Sequence, residues 1–149
     1  MTYRKATSED IPALTKLRED FIGDAGSLAA HDIQAMACYP DFLQEGLQNG
    51  SFVQWLAELD GQIIATGSIS FYRLPPRCKL PNGQAAYIGN MFTYPAYRRQ
   101  GISRNILQLL VDEAKALGCH EIWLDASPQG KPLYERFGFE TREMMKFYL

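Results

Sequence analysis

The stretch from Gln84 to Ala126 constrains this chain's architecture more than any other. Gln84 to Thr93 reads as a strand, after which Ile102, Ile106, Leu110, Ala114 and Leu117 recur at helical spacing, with Leu107 and Val111 widening the stripe. Gly118 stops that helix, and His120 to Ala126 returns to strand-type residues. Strand, amphipathic helix and strand in this order form a βαβ unit, so the two strands run parallel and the fold class is α/β.

The rest of the chain supplies further strands and helices. Thr2 to Ala6 reads as a short strand, and Thr7-Ser8-Glu9-Asp10 offers side-chain acceptors for a helix start, with Pro12 tolerated in the first turn. Ile11, Leu14, Leu17, Phe21 and Ile22 then keep helical spacing up to a flexible break at Gly23-Asp24-Ala25-Gly26-Ser27. Leu28 to Gly50 reads as helix, interrupted around Tyr39-Pro40. From Ser51 the period changes to two: Val53, Trp55, Ala57 and Leu59 share a face. Beyond Asp60-Gly61, a strong hairpin signal, so do Ile63, Ala65, Gly67, Ile69 and Phe71. Leu74 to Gly83 is a long exposed loop rich in proline, and Ser127 to Lys131 is a second loop. A short helix at Pro132 to Phe137 and a final strand pair from Gly138 to Leu149 complete the reading. With no repeat or linker, residues 1–149 are expected to form a single domain.

Composition removes several function classes. With 46% hydrophobic and 21% charged residues the chain can bury a core. Its 15 basic and 17 acidic residues, net −2, give no general attraction to nucleic acid or anionic lipid. No apolar run approaches the ~18 residues of a spanning helix and the start has no signal-peptide core, so a soluble cytoplasmic protein is expected. Cys38, Cys78 and Cys119 lack paired spacing, and His31 and His120 lie far apart, so neither disulfides nor a metal site is expected. The 12% aromatic content suits a core or a homodimer interface.

The chemistry concentrates at Arg98-Arg99-Gln100-Gly101-Ile102-Ser103, where a strand hands over to a helix. The first amides of a helix have no internal partner and its dipole is positive there; Gly101 allows close backbone approach, Ser103 adds a hydroxyl and two arginines add charge. A phosphate or pyrophosphate fits such a turn, and so does a solvated basic turn that caps its own helix. Gly130-Lys131 is followed by Pro132, so the Walker loop is absent; no Gly-x-Gly-x-x-Gly and no Gly-x-Ser-x-Gly occurs either.

Thr93-Tyr94-Pro95-Ala96-Tyr97-Arg98-Arg99-Gln100-Gly101-Ile102-Ser103 resembles the V-x-P-x-x-R-x-x-G-x-G/A signature of the GCN5-related N-acetyltransferase (GNAT) family, with Thr93 and Ser103 as departures. Downstream, Pro132-Leu133-Tyr134-Glu135-Arg136-Phe137-Gly138-Phe139 is similar to that family's L-Y-x-x-x-G-F segment. The resemblance implies a mixed central sheet, splayed between its fourth and fifth strands and flanked by helices, with acetyl-CoA in the opening. It implies that Arg98, Arg99, Gln100, Gly101, Ile102 and Ser103 hold the pyrophosphate, mostly through backbone amides. Met91, Phe92 and Thr93 would pair with the pantetheine arm. Ser127 stands where the family often has an asparagine that reaches the cofactor.

The same resemblance places Tyr134 as general acid for the thiolate that leaves when an amine attacks the thioester; an ordinary phenol, with a pKa about 10, is protonated at neutral pH. The Tyr87-Ile88-Gly89-Asn90 strand offers no base, which leaves a water relay, or Asp125 as base, substrate anchor or solvated residue. Arg18, Glu19, Tyr39 and Phe42 are candidates for a mixed polar and aromatic acceptor cleft. Two readings stand: an acetyltransferase acting on a primary amine of a small molecule or protein by direct transfer, and an acyl-CoA-binding sensor or interaction domain without catalysis.

Overall fold

Alternation with period two builds the middle of the molecule. The computed structural model describes residues 1–24 and 30–149, the side chains of 30–33 aside. Strands β2 (Phe52–Leu59) and β3 (Gln62–Arg73) meet at Asp60 and Gly61, whose φ angles of 50° and 79° form the left-handed turn that matches strand twist. Ala57, Ala65 and Ile69 share one buried face with Val53, Trp55 and Phe71, as the pattern predicts. The register slips between Ala57 and Glu58, where Ala57 faces Ala65 but Glu58 faces Ile63. Ile64 is the extra residue of this bulge; it joins Ala65 in one core while Ile63 packs against the other.

The full sheet has the order β1-β2-β3-β4-β5. Strand β1 (Thr2–Lys5) lies antiparallel to β2, β4 (Gln84–Thr93) antiparallel to β3, and β5 (Glu121–Leu124) parallel to β4. Helix α3, spanning Ile102–Ala116, makes the expected crossover and buries Ile102, Ile106, Leu107, Leu110, Val111 and Ala114 against one face. Gly67 permits that approach, because a Cβ there would stand 2.4 Å from Met91 Sδ and 2.6 Å from Ile106 Cγ2. On the opposite face, helices α1 (Ile11–Asp24) and α2 (Ala30–Asn49) bring Leu14, Leu17 and Leu43 onto Phe52, Leu56 and Phe92. Each such buried side chain contributes about 1.5–3 kcal/mol relative to exposure.

The entry to α1 follows the expected polar signals. Asp10 accepts the Thr7 amide at 2.8 Å and both Arg4 Nη groups at 2.8 Å, while Arg4 Nη2 also reaches Glu58 at 2.7 Å. One guanidinium thereby ties β1, β2 and the start of α1 together.

Four expectations need revision. Helix α2 runs through Tyr39-Pro40 without interruption: proline removes one amide donor, but Tyr39, Leu43 and Leu47 carry the apolar face past it into the same core. The final strand pair is absent: no described residue after Gly138 is in a strand. Phe139 still docks on Tyr134 and Phe137, but Met145, Phe147, Tyr148 and Leu149 are almost fully exposed, and a segment that buries neither face has nothing to fix a strand register. The long loop is exposed only in part, since Leu80 is fully buried and bridges to Arg77. The α1 helix continues through Gly23 and Asp24, and the rest of the expected break lies outside the described residues. Short helix α4 (Lys131–Phe137) ends at Gly138, with φ 111°.

Candidate active site

The sheet opens along the inner edge of β4. Its parallel pairing with β5 ends at Ile88↔Leu124, yet β4 continues for five more residues to Thr93. On its other edge Ser68 faces Gly89 and Thr66 faces Phe92, so one β3 residue, Gly67, spans two β4 residues, Asn90 and Met91. Asn90 takes φ 52°, and this bulge bends β4 away from β5. The far half of β4 is left with an edge that β5 does not pair.

The chain leaves β4 through a single turn at Pro95–Tyr97, then passes Arg99 (φ 66°) and Gly101 (φ 80°) before α3 begins. Asn105 N–H is bonded to the Gly101 carbonyl, so the amides of Ile102, Ser103 and Arg104 precede the intrahelical ladder. No heavy atom comes within 4 Å of a Cβ built at Gly101; its positive φ rather than crowding favours glycine. Ser103 Oγ lies 2.8 Å from Thr93 Oγ1 and pins the helix start to the end of β4.

These elements enclose a cleft of ≈ 780 Å³. Met91, Phe92, Thr93, Arg98, Arg99, Gly101, Ile102, Ser103 and Ser127 all line it; of the residues expected to hold the donor, Gln100 alone is missing from its wall. Arg104 and Arg136 also line it, making four arginines against the single carboxylate Asp24. The sequence reading missed these two, although both sit inside the quoted segments or beside them. Arg98 is occupied structurally: Nε donates to the Thr93 carbonyl at 2.9 Å and Nη2 pairs with Asp24 at 2.5 Å, which braces the end of α1. A cationic cleft, a helix start with free amides and an unpaired strand edge fit a molecule carrying phosphates at one end and amides along its length.

Tyr134 lines the neighbouring cleft of ≈ 950 Å³, together with Leu124, Asp125 and Ala126. Phe137 lines both clefts, and Gly130, which lines the first, lies close to Tyr134: a Cβ there would stand 3.3 Å from both Tyr134 Cε2 and Ser127 Oγ. Burial, and secondarily the nearby Tyr87, push Tyr134 up to about 12. It therefore keeps its proton throughout the neutral range. Asp125 accepts from Tyr87 Oη at 3.0 Å and pairs with Lys146 at 2.6 Å; Lys146, then Tyr87, hold its carboxyl below the usual range, which makes it a poor proton acceptor. Of the readings open for Asp125, that of an exposed, paired strand-end carboxylate agrees best with its surroundings.

The four acceptor-side candidates divide. Arg18 and Tyr39 converge on Asn90, and Phe42 stacks on Tyr39 with ring centroids 6.3 Å apart, whereas Glu19 lines a separate cleft with Lys16 and Asp20. Asn90 escaped the sequence reading. Its signal was present, since Gly-Asn inside a strand pattern marks a bulge and asparagine tolerates the left-handed region. Among the described residues no cluster of His, Cys, Asp or Glu is suited to a metal, and no helix is long and apolar enough to cross a membrane.

The family model for the acetyltransferase (GNAT) family matches residues 14–139. A predicted acetyltransferase from Clostridium acetobutylicum, solved with acetyl-CoA, is 37% identical and superposes with a TM-score of 0.91 over 99% of this chain and 95% of its own. A GCN5-related N-acetyltransferase from Ralstonia eutropha is 25% identical, with a TM-score of 0.91 over 99% of this chain and 97% of that one. The glucosamine 6-phosphate N-acetyltransferase of Arabidopsis thaliana is 29% identical over 94 residues, which span 61% of this chain and 60% of that protein. The match to the corresponding protein of Trypanosoma brucei brucei, 25% identical, spans 56% of this chain and 54% of the relative.

Proposed function

The chain belongs to the acetyltransferase (GNAT) family, and on that premise we propose that it transfers an acetyl group from acetyl-CoA to a primary amine by direct attack in a ternary complex. The observation that carries this reading is the cationic cleft where the unpaired half of β4 meets the free amides of α3. When bound, acetyl-CoA supplies an activated acyl group as a thioester.

The residues divide the work by position. Gly101 with the amides of Ile102, Ser103 and Arg104 forms the diphosphate seat, reinforced by Arg99; Arg98 serves by holding the loop against Thr93 and Asp24. Met91, Phe92 and Thr93 offer their main-chain edge to the amide-bearing arm, and Ser127 lines the same cleft. A main-chain N–H of that open edge polarises the acyl carbonyl as negative charge develops on its oxygen. The carbon–nitrogen bond forms and the carbon–sulfur bond breaks; the amine's proton leaves to water and the Tyr134 hydroxyl protonates the departing sulfur, then recovers its proton from solvent. Holding both partners in one cleft supplies much of the acceleration without a strong base.

Calorimetric titration with acetyl-CoA and CoA, against NADH and ATP as comparators, tests the reading, followed by thiol release across a panel of amines. Saturable binding of the two CoA compounds alone, with amine-dependent thiol release, is the expected result. Failure of the folded protein to bind CoA refutes the donor site. CoA binding without acetylation of any amine refutes catalysis and leaves a CoA-binding sensor.

A further inference from the structure

We propose that the acceptor carries an anionic group, a carboxylate or a phosphate, a few bonds from its amine, and that Arg18 and Tyr39 receive it. The inference rests on the acetyltransferase reading above and specifies the acceptor side of the same site.

The hydrogen-bond direction around Asn90 fixes the polarity of that side. Arg18 Nη1 donates to Asn90 Oδ1 at 2.7 Å, and because a guanidinium cannot accept, the amide oxygen must face it. The Asn90 NH₂ therefore faces Tyr39 and donates to its oxygen at 2.9 Å. A hydroxyl that accepts there directs its own proton elsewhere. Burial pushes Tyr39 up to about 12, so that proton is retained at neutral pH. Both functional ends of Asn90 are thus engaged, and among the described residues the Tyr39 O–H and the further N–H groups of a guanidinium that has five meet no other acceptor, so these are the groups that remain for a ligand.

Both groups are held in place. Arg18 lies over the Phe21 ring, 5.3 Å from its centroid, and Tyr39 stacks on Phe42, which meets Phe52 edge-on at 5.1 Å. A cation and a phenol that both donate match a carboxylate or phosphate oxygen pair and disfavour a second positive charge. Location sets the length of the ligand. Asn90 is the bulge residue of β4, and its successor Met91 already lines the donor cleft, so the anion site borders that cleft along the strand. An amine that reaches the acyl carbon while its anion sits on Arg18 is a small bifunctional molecule.

Two matched pairs test this: glucosamine 6-phosphate against glucosamine, and β-alanine against β-alaninamide at equal free-amine concentration. At least one charged member is expected to exceed its neutral partner by about 10- to 100-fold in kcat/KM, the range of a charged hydrogen-bonded contact. The phosphate pair or the carboxylate pair showing it identifies the source. In Arg18→Gln the ratio should fall towards one, Arg18→Lys should restore part of it, and Tyr39→Phe should lower it severalfold; the acetyl-CoA dissociation constant of each variant reports an intact donor cleft. Calorimetric binding of the same four compounds to CoA-saturated protein gives a readout independent of turnover, so loss of all acetylation would refute catalysis without touching the anion site. Equal binding and equal kcat/KM within both pairs overturns the proposal, as does an Arg18→Gln protein that keeps the wild-type preference.

Discussion

Removing one oxygen from Tyr134 separates its proposed catalytic role from its structural one. Its ring is 8% exposed and meets Phe139 edge-on at 6.0 Å, contacts that phenylalanine preserves. No described residue takes a hydrogen bond from its hydroxyl, so Tyr134→Phe should change stability at pH 7 by less than about 1 kcal/mol. Turnover should fall by about 10²- to 10⁴-fold if that hydroxyl protonates the leaving sulfur, equivalent to ~3–5 kcal/mol of barrier. The alkaline limb adds a second test. Burial raises the folded pKa from 10 to about 12. The unfolded chain therefore gives up this proton first, and the stability the group contributes below pH 10 is lost as pH rises towards 12. The phenylalanine variant has no such proton to lose and should gain on the wild type by about 1.4 kcal/mol at pH 11. Urea unfolding at pH 7, 10 and 11, beside thiol-release kinetics, reads both. A variant with kcat within threefold of wild type and unchanged acetyl-CoA affinity rules out the acid role; an unfolding difference that does not grow with pH rules out the burial argument.

Gly67→Ala places a methyl group against Met91 and Ile106, and overpacking of this kind should lower the unfolding free energy read from urea melts by about 1–3 kcal/mol, with Ile106→Ala in the same chain relieving part of it; strict additivity of the two losses contradicts the clash. Gly101→Val meets no neighbour but must hold φ 80°, so it should cost about 1–2 kcal/mol and weaken acetyl-CoA binding at least tenfold, roughly another 1.4 kcal/mol; unaltered affinity by calorimetry removes the loop from the diphosphate seat. Arg4, and then the Thr7 amide, hold the Asp10 carboxyl below its usual range, so its stabilising effect is present above about pH 4 and lost as pH falls through the lower folded value. Asp10→Asn should flatten the acid limb of stability below pH 4, and an unchanged limb would place its cause elsewhere.

What the sequence made legible follows from the range of each signal. The βαβ unit, the Asp60-Gly61 turn and the helix start after Thr7 depend on neighbouring residues and stand where the pattern put them. Bulges do not announce themselves so clearly: one extra residue at Ile64 or Asn90 leaves the composition of the strand intact while changing which side chains share a face. The pairing of Arg98 with Asp24 was not legible because it joins positions far apart in the chain, although Arg98 lines the cleft as expected. Arg98, Arg99 and Arg104 lie far along the chain from Tyr134 and Arg136, and only the crossover of α3 brings the two groups to neighbouring clefts. The final strand pair failed for a different reason, since the alternation of Met145, Phe147 and Leu149 describes a segment ready to pair and says nothing of whether either face will be buried.

The opening of the sheet also bears on how such a protein changes over time. A main-chain edge is chemically the same under nearly every side chain, so residues 91–93 can be exchanged for others that pack equally well while the row of amides and carbonyls stays in place. The Clostridium relative shares barely more than a third of its residues with this chain and still superposes along almost its whole length. In the proposed site, contacts made by backbone depend on the shape of the strand rather than on its letters, whereas an acceptor site built from side chains towards α1 and α2 changes with each substitution.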